Sequence, residues 1–364
     1  MSANVLVSLV SCLLNGTQPE AEILAGLDLK ELYALADRHS LLGITAFALE
    51  HAGIHDEAFM KAKGRAIRKV LLLSMDREKV ISELEANHVW YMPLKGAILK
   101  DYYPALGMRE SSDCDILIDP ARADDVRKIM QSLGFRVEEF GTFHHDVYFR
   151  PPVSSFEMHR KLFRDSREAK LYAYYSDTKS RLLKDEGNNY GWHFSTEDFY
   201  VYMTAHEYNH YRGGGTGLRS LLDVYVFLKK FGNVIDCEYV SRELESAGLS
   251  DFEAANRGLA MSLFEGRELT QSNLEMLDYI LKSGTYGNID NLVKNRFAKR
   301  PQSKVKYLLS RIFLPMTEIK DNYPFFYKHK YLLPLMPFMR VMKAVRKSKR
   351  SLAEIRTVIN LEKR

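Results

Sequence analysis

Cysteine is scarce in this chain: Cys12, Cys114 and Cys237 lie far apart in 364 residues, with no Cys-x-x-Cys pair and no Cys/His cluster. That spacing excludes a disulfide framework and gives no support to a structural zinc site, so a reducing, cytoplasmic setting is expected. Long apolar runs are also missing. None approaches the ~20 residues that would cross a bilayer. The opening MSANVLVSLVSCLLNG is apolar but has no basic leader and runs on into helix-patterned sequence, so it is expected to be a core helix rather than a signal peptide. Acidic residues are rare at one end: residues 294–364 hold 19 Lys/Arg against 4 Asp/Glu, whereas residues 1–293 hold 33 against 43. A basic tail on an acidic body points to an anionic partner for the tail, or else to a solvated basic end.

What is present is apolar material in quantity. At 46% hydrophobic and 12% aromatic, the chain can bury a sizeable core, and its length suggests two or three domains rather than one. Residues 1–88 place Ile23, Leu27, Leu32, Leu35, Val70, Ile81 and Leu84 mostly at three- and four-residue spacings, which predicts a helical lead-in. From Val89 the pattern changes. VWYMPL predicts a strand, Lys95-Gly96 a tight turn and AILKDYYPAL a short helix. DCDILID predicts a strand, PARADDVRKIMQSLG a helix opened by Pro and closed by Gly, and FRVEEF, HHDVYFR and SSFEMHRKL three further strands. This order describes an α+β fold, a small mixed sheet over 89–165 flanked by helical regions. Residues 166–300 read as helical again, and 301–364 as a basic appendage.

On a strand, residues two apart share a face, so Asp113 and Asp115 project together while Cys114 and Ile116 face the other way. Two adjacent anions repel unless a cation lies between them, and carboxylate oxygens are ligands for Mg2+ or Mn2+. Glu157 is the natural third carboxylate: in FEMH, Phe156 and Met158 take one strand face and Glu157 and His159 the other. Ahead of the acidic strand, Lys95-Gly96 forms a strand-to-helix turn whose backbone N–H groups suit an anion. Gly96 allows close approach, Lys95 adds charge, and Arg109 offers a second cation.

These residues resemble the uncharacterised nucleotidyltransferases of the DNA polymerase beta-like superfamily. The pattern is Leu94-Lys95-Gly96, Arg109, Asp113-Cys114-Asp115-Ile116-Leu117 and Glu157-Met158-His159. HEYNHYRGGGTGLRSLLDVYVFL resembles the family's helical region, and FLPMTEIKDNYPFFYKHKYLLPL a C-terminal stretch of some bacterial members, so that the likeness spans roughly residues 60–340. The resemblance implies catalysis and metal binding by Asp113, Asp115 and Glu157, with Mg2+ or Mn2+ as cofactor. It implies nucleotide binding by Lys95, Gly96, Arg109 and His159, and transfer of a nucleoside monophosphate from ATP or another nucleoside triphosphate to an unidentified acceptor. Two departures stand out. The superfamily's Gly-Gly or Gly-Ser turn is Gly96-Ala97 here, and Glu157 is one methylene longer than an aspartate.

One motif competes. His206-Glu207-Tyr208-Asn209-His210 matches His-Glu-x-x-His, which on a helix can hold zinc with the glutamate as general base, but the third ligand of the extended motif is replaced by Thr216. The alternative is that His206 and His210 line the cleft with Arg219 and Asp223. A non-catalytic nucleotide-binding protein is the other reading. Of His144 and His145, adjacent on a strand, at most one is expected to reach the cleft, and LYAYYSD reads as packing rather than a base-stacking platform. No strong DNA-binding signal is present. Phe338, Val341, Met342 and Val345 recur at helical spacing among Arg340, Lys343, Arg346 and Lys347, so a helix over 338–350 is expected either to contact an anionic membrane or protein surface weakly or to pack on the chain's own acidic body.

Overall fold

The computed structural model describes residues 2–165, 168–299, 303–346 and 348–360. Local capping sets the N-terminal helices. Asp28 accepts hydrogen bonds from the Lys30 and Glu31 amides to start Leu29–Arg38, and Asp56 accepts from Phe59 N to start the 30-residue helix Glu57–Ala86. At 1.5 Å per residue that helix is ~45 Å long. One stripe of it is buried, from Phe59, Ala62 and Ala66 through Val70 and Leu73 to Val80 and Leu84. Its first half packs into a large cluster with the N-terminal helices, and its second half into a smaller cluster under the sheet. Asp76 pins it further, accepting from Ser154 Oγ at 2.6 Å and pairing with Arg150.

The sheet comprises β1 (Tyr91–Pro93), β2 (Cys114–Ile118), β3 (Arg136–Glu139), β4 (His145–Arg150) and β5 (Ser154–His159), in the order β1-β2-β5-β4-β3. β5 lies parallel to β2, and the other pairings are antiparallel. Alternation assigns the two faces. Cys114, Ile116, Ile118, Tyr148, Phe156 and Met158 bury against the helix Ala123–Ser132 and the long helix. Leu117 turns the opposite way, into the large core that also holds Tyr103, Tyr202 and Leu221. That large core runs from Val5 to Ile280, so helices before and after the sheet share it.

The uniformly helical reading of 166–300 needs one correction. A short hairpin, β6 (Leu182–Lys184) and β7 (Trp192–Phe194), sits beside β1 through a Tyr91–Gly191 bridge. Each strand has three residues, too few for alternation to show in sequence. The helices Thr196–Gly213, capped by Ser195, and Leu218–Phe231 follow.

In the tail, Tyr307, Val293 and Val358 form a small separate cluster. The expected helix is present as Met336–Arg346, followed by Ser348–Asn360, and Lys347 lies outside the described residues.

Candidate active site

The face of the sheet turned toward the post-sheet helices carries the acidic groups. Parallel pairing sets Asp115 opposite Glu157 and Leu117 opposite His159. Asp113 stands one residue ahead of β2, near enough for Asp115 and Glu157 to act on its charge. His159 Nε2 lies 3.3 Å from Asp115 Oδ1 and 3.6 Å from Glu157 Oε2, and His145 Nε2 approaches Glu157 at 3.5 Å. Electrostatics follow from this crowding. Burial, reinforced by Asp115 and Glu157, pushes the Asp113 carboxyl up to about 6, while Arg219 acts in the opposite direction. Burial also opposes charge on Asp115, but the hydrogen bond and charge of His159, with Lys95 beyond, hold it below the usual carboxylate range. For His159 burial disfavours the cation, yet its two carboxylate partners prevail and raise it to about 9. The carboxylate face thus already holds a cationic group against its anions.

In front of β2 the chain turns at Lys95, whose φ of 22° and ψ of −84° lie in a region that non-glycine residues rarely adopt. The strain falls on Lys95 rather than on Gly96. A side chain at Gly96 would place its Cβ 3.1 Å from Arg109 Nη1 and 3.3 Å from Ser111 Oγ, so these two side chains would have to give by a few tenths of an ångström to admit one. The helical turn that follows is short, Gly96–Leu99, and continues into a 3-10 turn at Lys100–Tyr102. Lys95 Nζ lies 2.8 Å from His206 Nδ1. Because an ammonium only donates, the imidazole accepts. Burial and the Lys95 charge hold His206 well below its usual range, which keeps that lone pair available. Burial draws Lys95 itself down to about 8, against the pull of Asp223 and Glu207.

Arg109 is buried, donating from Nε at 2.7 Å and Nη2 at 2.9 Å to the two carboxylate oxygens of Asp223, which also accepts from the Tyr103 hydroxyl at 2.8 Å. Its remaining Nη1 reaches Ser111 Oγ at 3.1 Å. Arg219 Nη1 donates to the Glu110 carbonyl at 3.0 Å. Two turns of helix therefore hold the segment between the Lys95 turn and β2.

The 206–210 motif is built into the same network. Glu207 is 2% exposed, its carboxyl pushed up to about 7 by burial, with Asn256 Nδ2 donating to it at 3.1 Å. The His206 and His210 rings lie 4.5 Å apart, centre to centre. Among the described residues, the groups close enough to share one ion are Asp115, Glu157 and His159, and His144, His145 and His159.

The histidines at 144 and 145 differ from expectation, because both adjoin His159, at ring separations of 5.4 and 5.0 Å. His144 precedes β4 and escapes the strand's alternation, while pairing with β5 brings His145 opposite His159. Sequence reasoning also left out Tyr103 and Asn256, whose polar ends are fixed only by tertiary packing.

An acidic strand, a parallel neighbour bearing a third carboxylate and a basic turn in front of them belong with one class of protein, the nucleotidyltransferases. A sequence model of the family described as uncharacterised nucleotidyltransferases matches residues 25–265, well over half of the chain, and the chain belongs to that family. The match starts earlier and stops earlier than the 60–340 likeness read from motifs, so the basic tail lies beyond it. No curated protein and no solved structure matches the chain.

Proposed function

We propose that the protein transfers a nucleoside monophosphate from a nucleoside triphosphate to an acceptor hydroxyl, with Asp113, Asp115 and Glu157 as the reacting centre. The observation that carries this reading is the register of Asp115 with Glu157 behind the Lys95 turn, with Asp113 just ahead of the strand and near enough for both to act on its charge. The donor set fits a divalent cation. Carboxylate oxygens suit Mg2+ or Mn2+, and Asp115 and Glu157 lie close enough to share one ion with the His159 imidazole, which would have to give up its proton to join them. When bound, such an ion offsets the negative charge of the phosphates and of the departing pyrophosphate.

The chain's own residues supply position and charge. Lys95, held by His206, presents an ammonium to the phosphates, and Gly96 lets them approach the backbone. Arg109 and Arg219 act behind this turn, Arg109 locked by Asp223 and Arg219 by the Glu110 carbonyl. The acceptor oxygen bonds to the α-phosphorus as the bridge to the β-phosphate breaks and pyrophosphate leaves. Glu157, the more exposed of the strand-paired carboxylates at 27% against 18% for Asp115, takes the acceptor's proton. His159 stands beside both and steadies their charge.

The test is incubation of the purified protein with each labelled nucleoside triphosphate, Mg2+ or Mn2+ and a metabolite extract, followed by mass spectrometry. A product heavier by one nucleoside monophosphate, absent with Asp113→Asn, is expected. No product with any nucleotide, alongside unaltered nucleotide binding by Asp113→Asn, would overturn the reading.

A further inference from the structure

The helix Met336–Arg346 is packed with its apolar side outward. Met336 is buried at 2%, and one turn later Arg340 donates to the Arg311 carbonyl and, at 2.9 Å, to the Tyr323 hydroxyl. Residues four apart share a helix face, so this is the side laid on the chain. The other side holds Phe338, Val341, Met342 and Val345, with Phe338 at 71% and Val345 at 69% exposure. Burial on the chain's own acidic body therefore does not account for the apolar stripe among the described residues. The next helix repeats the arrangement: Val358 is inside, while Leu352, Ile355 and Ile359 are exposed at helical spacing. Exposed Phe325, Tyr331 and Leu335 precede both helices. Large apolar side chains exposed in a row along one side of a helix mark an interaction site.

Charge selects among occupants. Residues 294–364 carry 19 basic against 4 acidic side chains, and Lys320, Lys328, Lys330 and Arg346 of the same tail are exposed. Two such tails meeting face to face would bring like charges together. A surface that offers an apolar interior beneath an anionic rim satisfies both properties, and aromatic side chains favour that boundary. No helix among the described residues is long and apolar enough to cross a membrane, so the contact is one of lying on the surface. We propose that the tail docks on an anionic lipid surface through Phe338, Val341, Met342 and Val345.

The test is co-sedimentation of the full chain with phosphatidylcholine vesicles, with or without phosphatidylserine, at low and high salt. The chain should pellet with the anionic vesicles only and be released by salt, since exposed charges are screened. Phe338→Ser with Val345→Ser should weaken binding about tenfold without shifting thermal unfolding, because both side chains stand in solvent. Pelleting equally with neutral vesicles, failure to pellet, or unchanged binding by the double variant would overturn the proposal. So would a concentration-dependent dimer in sedimentation velocity that the double variant abolishes in a chain that ignores vesicles, which would give the face to a second copy.

Discussion

Asp223 is the residue whose loss bears hardest on the buried charges behind the Lys95 turn. Its carboxylate receives two bonds from Arg109 and one from Tyr103, and the ion pair is 3% and 2% exposed. Asp223→Ala strands the Arg109 guanidinium in the core, with the like charge of Arg219 nearby. Breaking a buried pair from one side costs about 3–5 kcal/mol, and the orphaned Tyr103 hydroxyl about 1 kcal/mol more. Asp223→Asn keeps one acceptor oxygen and is expected to cost roughly half as much. Removing both charges, in Arg109→Met with Asp223→Leu, should recover most of the loss, because apolar replacement of a buried pair is often nearly neutral. Urea unfolding followed through Trp90 and Trp192 reads the effect. At a slope of ~3 kcal/mol per molar urea, the Asp223→Ala midpoint should fall by roughly 1–2 M. A fall of less than about 0.3 M, or a double variant weaker than Asp223→Ala, would refute the reasoning.

Three further outcomes are expected. Asp113→Asn with Asp115→Asn should lower Mg2+-dependent nucleoside triphosphate affinity at least about tenfold in calorimetry; unchanged affinity would sink the site assignment. Gly96→Ala should press on Arg109 Nη1, which Asp223 and Ser111 leave little room to move. It should cost about 1 kcal/mol of stability but weaken nucleotide binding by a larger factor, and equal effects on both would remove the turn from the phosphate site. Glu207, raised by burial from 4.5 to about 7, keeps its proton in the folded chain at pH values where the unfolded chain has lost it. Wild-type stability therefore declines as pH rises through that window. Glu207→Gln removes the slope, so its stability relative to wild type should climb by up to about 3 kcal/mol from low to neutral pH, and parallel stability curves for the two proteins would contradict it.

What could be read from the sequence was what a short period encodes. Two-residue alternation put Asp113 with Asp115 and Glu157 with His159; the structure keeps Glu157 and His159 together, 3.6 Å apart, while Asp113 falls one residue ahead of the strand. Alternation says nothing of which strands pair or in what register. The opposition of Asp115 to Glu157, 42 residues apart, and of His145 to His159 follows from assembly of the whole sheet. The turn was placed at the right dipeptide, with Gly96 allowing close approach, but nothing in the sequence marks Lys95 as the residue with positive φ or Arg109 and Ser111 as the side chains that approach Gly96.

The charged residues of the following helices were only partly placed: Asp223 was expected beside the cleft histidines, but periodicity alone sends Glu207 to solvent. Both face inward, where an unpartnered charge costs several kcal/mol. Their partners lie on other segments: Asn256 for Glu207, Arg109 and Tyr103 for Asp223, and Lys95 for the neighbouring His206. Such a network holds only while the helices remain seated on the sheet. The Lys95 turn therefore depends on residues more than a hundred positions away as much as on its own sequence. A unit that preserves this turn must include the sheet, the segment before it and the helices through Asn256. The family match over 25–265 encloses all of them but the first helix, Ser2–Asn15, and leaves out the tail, whose apolar side faces away from the chain.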